Sequence, residues 1–156
     1  MKTSFTAGIF PFMILLMLGC KPTTTDRINK EASITGIKQL PENPLEMTPL
    51  AVTLQPEEKT MATLYGNSIA AKRLKDGMDY GAGSVLYLVT WKGKADPDWF
   101  GARIPDRVTA IERVSIGGNG QKNYIFFKGP AKNADLEISK DDRQAKILDI
   151  PVATSP

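Results

Sequence analysis

The chain has 156 residues, 42% of them apolar and 24% charged, with a formal net charge of +3. That is one domain's worth, long enough to bury a real core, and too weakly basic to suggest a nucleic-acid binder. It contains no histidine and a single cysteine. Those absences exclude Ser-His-Asp and Cys-His catalysis, histidine-bearing zinc sites, the usual proximal haem ligand and any internal disulfide.

The N-terminus carries a targeting signal. Lys2 supplies a positive charge, residues 7–18 form an apolar run, and Met17-Leu18-Gly19-Cys20 resembles the lipobox at which bacterial lipoprotein precursors are cut before a lipidated cysteine. The apolar run is short for a membrane span. Met17 and Leu18 depart from the usual lipobox residues, so an ordinary cleaved secretory signal and an uncleaved anchor are the alternatives. A lipoprotein accounts best for a lone cysteine in an exported chain. Residues 1–19 are therefore expected to be the signal peptide. Residues 20–49, rich in Pro, Thr, Lys, Glu and Asn, are expected to be the acylated Cys20 and a disordered tether that cannot bury enough surface to offset its ordering entropy. Lys21, rather than Asp, follows the cysteine, which implies the outer membrane of a two-membrane cell and a periplasmic location.

The folded domain is expected over residues 50–156. A short strand over 50–54 opens it, and Pro56-Glu57-Glu58 turns the chain into a strand over 60–65. Gly66 breaks that strand, Asn67 is placed to cap a helix ending near Gly77, and residues 80–83 form a turn. Residues 84–91 are rich in β-branched and aromatic side chains and read as a buried strand. Residues 96–105 then place Trp99, Phe100 and Arg103 on a loop. A strand over 107–116, the turn Gly117-Gly118-Asn119-Gly120 and a strand over 123–128 make a hairpin. Ser139 caps a last helix over 140–148, which Pro151 stops. The fold class is α+β, a mainly antiparallel sheet covered on one side by two helices.

Three segments carry a family resemblance: T-M-x-x-L-Y-G-N at 60–67, G-S-V-L-x-L-V-T-W at 83–91 and D-P-x-W-F-G-A-R-I-P at 96–105. In this order they resemble the cytochrome P-460 domain family of bacterial periplasmic haem proteins, over about residues 50–151. The resemblance implies the fold. Catalytic members attach a c-type haem through C-x-x-C-H and cross-link a lysine to the porphyrin. This chain has no C-x-x-C and no lysine in 85–91, so the haem chemistry does not carry over.

The remaining motifs are weak. Gly117–Gly120 lacks the strand-to-helix setting and the lysine of a phosphate-binding loop. Asp96-Pro97-Asp98 and Asp141-Asp142 do not extend into a Ca²⁺ ligand ladder, and read better as a turn and as a helix first turn favoured by the dipole. What is left is Tyr65, Asn67, Tyr80, Tyr87, Trp91, Trp99, Phe100 and Arg103, which could line a pocket for a small ligand. The plainer alternative makes the tryptophans core, Asn67 a helix cap and Arg103 a surface residue. A tyrosinate from Tyr65, Tyr80 or Tyr87 could ligate a non-covalent haem. The expectation is a haem-free, membrane-tethered binding or accessory module with no catalytic residues and no metal. The alternative is a haem-dependent redox enzyme acting on hydroxylamine or nitric oxide. Expected partners are membrane lipid through Cys20 and a small-molecule ligand, with no nucleic acid; a homodimer is open.

Overall fold

The computed structural model describes residues 29–34, 37, 39–128 and 139–152. The expected signal peptide, Cys20 and the first part of the expected tether lie outside the described residues. Five strands, β1 (Thr48–Gln55), β2 (Thr60–Gly66), β3 (Val85–Ala95), β4 (Arg103–Ile116) and β5 (Lys122–Lys128), form one sheet in chain order, every neighbouring pair antiparallel. Two helices, α1 (Ser68–Lys75) and α2 (Lys140–Leu148), complete an α+β domain.

Local chemistry explains most of these boundaries. The Asn67 side chain accepts from the amide of Ala70 at 2.9 Å and donates to the carbonyl of Gly83 at 2.8 Å, so one residue starts α1 and ties it to the turn before β3. At the other end Gly77 takes φ +70° while its amide reaches Leu74 and that of Met78 reaches Arg73, both bonds of a Schellman stop. Gly66 is where helix and sheet touch: a Cβ there would sit 2.5 Å from Leu50 Cδ1 and 3.1 Å from Ala70 Cβ. The Ser139 hydroxyl accepts from Asp142 N and starts α2, whose acidic first turn suits the helix dipole.

The pleat divides the core in two. On one face Ala62, Leu64, Leu86, Leu88 and Val114 meet Ala70 of α1 and Ile147 of α2. On the other, Tyr87, Val89, Trp91, Val108 and Ile111 meet Ile34, with Ala32, Ile37, Leu40 and Met47 packed around them. That second cover was not expected. The described part of the stretch read as a tether is a strap of two short 3-10 turns, Lys30–Ala32 and Pro44–Glu46, laid against the sheet. The sheet is thus covered on both faces, and the packed domain reaches back to Asn29. The reason is that widely spaced apolar residues with no helical or strand period still find the one apolar surface the helices leave open.

The hairpin β3–β4 is also longer than expected. Strand pairing continues past Trp91 and starts before Arg107, through Gly93↔Pro105 and Lys94↔Ile104 to Ala95↔Arg103. Arg103 therefore opens β4 rather than standing on the loop, and the connecting loop shrinks to residues 96–102. Pro105 is tolerated because this part of β4 pairs with β3 alone, β5 pairing only from Ala110 onward.

Candidate functional site

The eight aromatic and polar candidates are spread over three places. Tyr65, Tyr87 and Trp91 share the strapped face. Tyr80 packs against the helix-covered core, with Asn67 at the start of α1 on the same side. Trp99 and Phe100 stand at the tip of the β3–β4 hairpin, 72% and fully exposed respectively, and Arg103 lies at its base, donating to the carbonyl of Gly93. Asn67 is accounted for as a cap. The set is not gathered at one place.

The densest polar geometry is on the strapped face. Register aligns Tyr65, Tyr87, Arg113 and Ile125 across β2 to β5, and Glu42 of the strap comes down onto the two middle residues. Arg113 holds the Glu42 carboxylate with both arms of its fork, Nη2 to Oε1 at 3.0 Å and Nε to Oε2 at 3.2 Å, and reaches Ser115 Oγ with Nη1 at 3.0 Å. The Tyr87 hydroxyl donates a hydrogen bond to the same carboxylate, and the guanidinium carbon of Arg113 lies 5.8 Å from the centre of the Tyr87 ring. At the strap's other end Trp91 Nε1 donates to the carbonyl of Ala32 at 2.9 Å. The Asn29 amide donates to the carbonyls of Asp106 at 2.6 Å and Pro105 at 3.1 Å. Tyr87 and Trp91, two of the candidates for a pocket wall, are therefore engaged by the chain itself.

Burial and charge set the protonation of this cluster. The hydrogen bond from Arg113 is the main reason the Glu42 carboxyl sits below its ordinary value. Burial first, then the hydrogen bond to anionic Glu42, push the Tyr87 phenol up to about 12. Burial also raises Tyr65 and Tyr80. A haem ligated through tyrosine needs a phenolate, and each of these three phenols holds its proton more tightly than free tyrosine does. The Tyr87 hydroxyl is already given to Glu42, and that of Tyr80 is buried without a hydrogen-bond partner. Among the described residues, no group of three or more acidic, cysteine or histidine side chains could hold a metal ion, and no helix is long and apolar enough to cross a membrane.

These shifts predict how stability responds to alkali. Between the usual tyrosine value of 10 and about 12 the unfolded chain loses the Tyr87 proton while the folded chain keeps it, so ionisation favours unfolding throughout that window. Stability is expected to fall on titration from pH 10 to 12, and Tyr87→Phe should lessen that fall. Denaturant midpoints at pH 9 and 11 for both proteins check it; equal losses would remove Tyr87 as the cause. Glu42 acts at the acid end: its contribution is present above the ordinary carboxylate value and is lost as pH drops through its lowered one.

A second charged cluster has no counterpart among the candidates drawn from the sequence. Glu112 is fully buried on the helix-covered face, where it receives Arg143 Nε and Nη2 of α2 at 2.6 Å each and the Tyr124 hydroxyl at 2.7 Å. Both its oxygens are satisfied, as a buried carboxylate requires. The available signal was alternation. Ala110, Glu112, Val114 and Ile116 are every second residue of one strand, so a glutamate in that row has to face the core. All three partners belong to packing elements, and the cluster fastens α2 to the sheet.

No protein-family model matches this sequence, and no curated protein matches it.

Proposed function

We propose that the chain is a bacterial envelope lipoprotein, held by acyl chains on Cys20 at the periplasmic face of a membrane, the outer one where there are two. Its domain, cytochrome P-460-like by the segments at 60–67, 83–91 and 96–105, serves as a haem-free accessory module that works by binding. One observation carries the domain's part of this reading. The sheet face with Tyr65, Tyr87 and Trp91 is filled by the chain's own strap, with the Tyr87 hydroxyl committed to Glu42. A domain packed in this way supports recognition through exposed surfaces better than chemistry in an enclosed site. The alternative, a haem-dependent enzyme acting on hydroxylamine or nitric oxide, would need a tyrosinate ligand, and the strap over Tyr65 and Tyr87, with the Tyr87 hydroxyl given to Glu42, counts against it.

The test has two readouts on protein made in a cell with a working haem-maturation system. Mass spectrometry should find a mature N-terminus at Cys20 carrying diacylglycerol, and the purified protein should be colourless. An unmodified Cys20, or a start elsewhere, overturns the anchoring. A Soret band that survives acid–acetone extraction overturns the haem-free reading.

A further inference from the structure

We propose that the Trp99–Phe100 tip of the β3–β4 hairpin docks into the headgroup layer of the bilayer to which the chain is tethered, which fixes the domain's orientation on the membrane. The proposal rests on the lipoprotein reading for the identity of its partner and for the tether, and on the tip's own geometry for the insertion itself.

The tip is built, not slack. Asp96 accepts from the amides of Asp98 at 2.8 Å and Trp99 at 3.3 Å, Ala102 N donates to the carbonyl of Trp99, Asp96 N donates to that of Ala102, and Gly101 takes φ +80° to close the loop. These bonds spend the polar backbone inside the loop and hold its two large rings in solvent. Trp99 at 72% and Phe100 at 109% relative exposure are the most exposed large apolar side chains among the described residues. Adjacent rings on a projecting tip suit the zone between headgroups and acyl chains, where an indole keeps its N–H in a polar layer and buries its body.

The charge around the tip is compatible with such a surface. Lys92, Lys94, Arg103 and Arg107 flank it, against Asp96, Asp98 and Asp106. Asp96 is turned onto the loop's own amides, and Asp106 is paired with Lys94 at 3.7 Å and Arg107 at 3.4 Å. The β1–β2 turn beside the hairpin, where the carbonyl of Glu58 takes Lys92 Nζ at 2.7 Å and that of Lys59 takes Gly93 N, adds Glu57 and Glu58 against Lys59 and cancels the single positive excess of the hairpin, so the rings carry the docking.

The path of the N-terminal chain supplies a separate argument. Asn29, the first described residue, is hydrogen-bonded to Pro105 and Asp106 of this same hairpin. Pro105 is two residues from Arg103, the end of the ladder, and so roughly 7 Å from it at strand rise. Cys20 precedes Asn29 by nine residues, a span of at most about 30 Å when fully extended. An acylated Cys20 therefore holds the hairpin end of the domain within a short distance of the bilayer. Had the domain begun at residue 50, a leash about three times longer would have left its orientation free.

The experiment uses the full mature chain in vesicles of phosphatidylethanolamine and phosphatidylglycerol (3:1) with brominated acyl chains, and reads tryptophan fluorescence. Trp91 is buried and serves as an internal control, and Trp99→Phe isolates its signal. The expected result is a blue-shifted, strongly quenched Trp99 component in the wild type, with the Trp91 component unquenched. In an unlipidated Cys20→Ser protein, partitioning onto the same vesicles should fall at least tenfold when Trp99→Ser and Phe100→Ser are added, and only a few-fold on pure phosphatidylcholine vesicles without them. Both serines replace exposed rings, and an unchanged near-ultraviolet Trp91 signal confirms the fold. Trp99 emission that stays unquenched in the lipidated protein, or equal partitioning of Cys20→Ser with and without the rings, overturns the proposal and leaves the tip to a protein partner. Quenching in Cys20→Ser with a native Cys20 that proves unmodified would support docking while overturning the tether, so the two failures are separable.

Discussion

Arg143→Ala is expected to destabilise the domain by about 3–5 kcal/mol, the range for breaking a buried ion pair from one side. Glu112 has no access to solvent, and its carboxylate is satisfied by two guanidinium bonds at 2.6 Å and one phenol bond at 2.7 Å. With the guanidinium gone, the buried carboxylate loses both charge-assisted bonds and keeps one neutral donor. Losing the pair as a whole should cost far less, because its Coulomb attraction largely offsets its own desolvation. Glu112→Leu combined with Arg143→Leu should therefore recover most of the loss. Urea denaturation of Arg143→Leu, Glu112→Leu and the double variant measures the coupling. Additive losses would show that the pair contributes nothing as a unit. The raised pKa of Tyr124, caused first by burial and then by its bond to Glu112, places the phenol as a donor throughout the physiological range.

Trp91→Ala is expected to cost a similar amount, about 3–5 kcal/mol, the range for truncating a large buried ring. Trp91 is 7% exposed in the middle of the strapped face, and its indole N–H is the bond that holds the carbonyl of Ala32. Two consequences separate this loss from a generic core defect. The strap should loosen, so amide exchange over residues 30–34 and 44–47 should quicken well before that of β3. Trp91→Phe, which refills much of the volume and removes only the donor, should restore most of the stability and little of the protection. A loss below about 1 kcal/mol for Trp91→Ala would place the ring outside the core. Unchanged exchange in the strap would show that Ile34 and Glu42 hold it without Trp91.

Elements with strong local punctuation are legible in the residues alone. Asn67 and Ser139 sit where a short polar side chain can take the free amides of a helix, Gly77 sits where only a left-handed residue closes one, and Gly117–Gly120 supplies the turn between two apolar runs. The composition of 84–91 makes it a buried strand for the same reason: β-branched and aromatic side chains pack on a pleat covered on both sides. Strand ends are less legible. Gly93, Pro105 and the charges of Lys92, Lys94, Asp106 and Arg107 each argue locally for a loop, yet a ladder already formed extends across them at little further cost in chain entropy.

The candidate site fared differently from the elements. Residue type marks Tyr87, Trp91, Trp99 and Phe100 as able to recognise something, but direction along a strand and distance from its end decide whether a ring meets core or water, and neither is encoded at the residue. Trp91 and Trp99 are eight positions apart and end in opposite environments, because one lies within the paired sheet and the other beyond its last rung.

By itself the sequence determined the excluded chemistries, since no arrangement of a chain without histidine and with one thiol can build a histidine triad, an internal disulfide or a C-x-x-C-H haem attachment. It also determined the α+β order of elements and their caps, which depend on neighbours a few positions apart. Only the tertiary structure decided that residues 29–34 and 39–47 belong to the domain, that Glu42 finds Arg113 at a separation of 71 positions and that Glu112 finds Arg143 at 31. Those pairings follow from which surfaces remain uncovered after the sheet has formed. That is a property of the assembled pleat and its two helices, and no local pattern of apolar and polar residues records it.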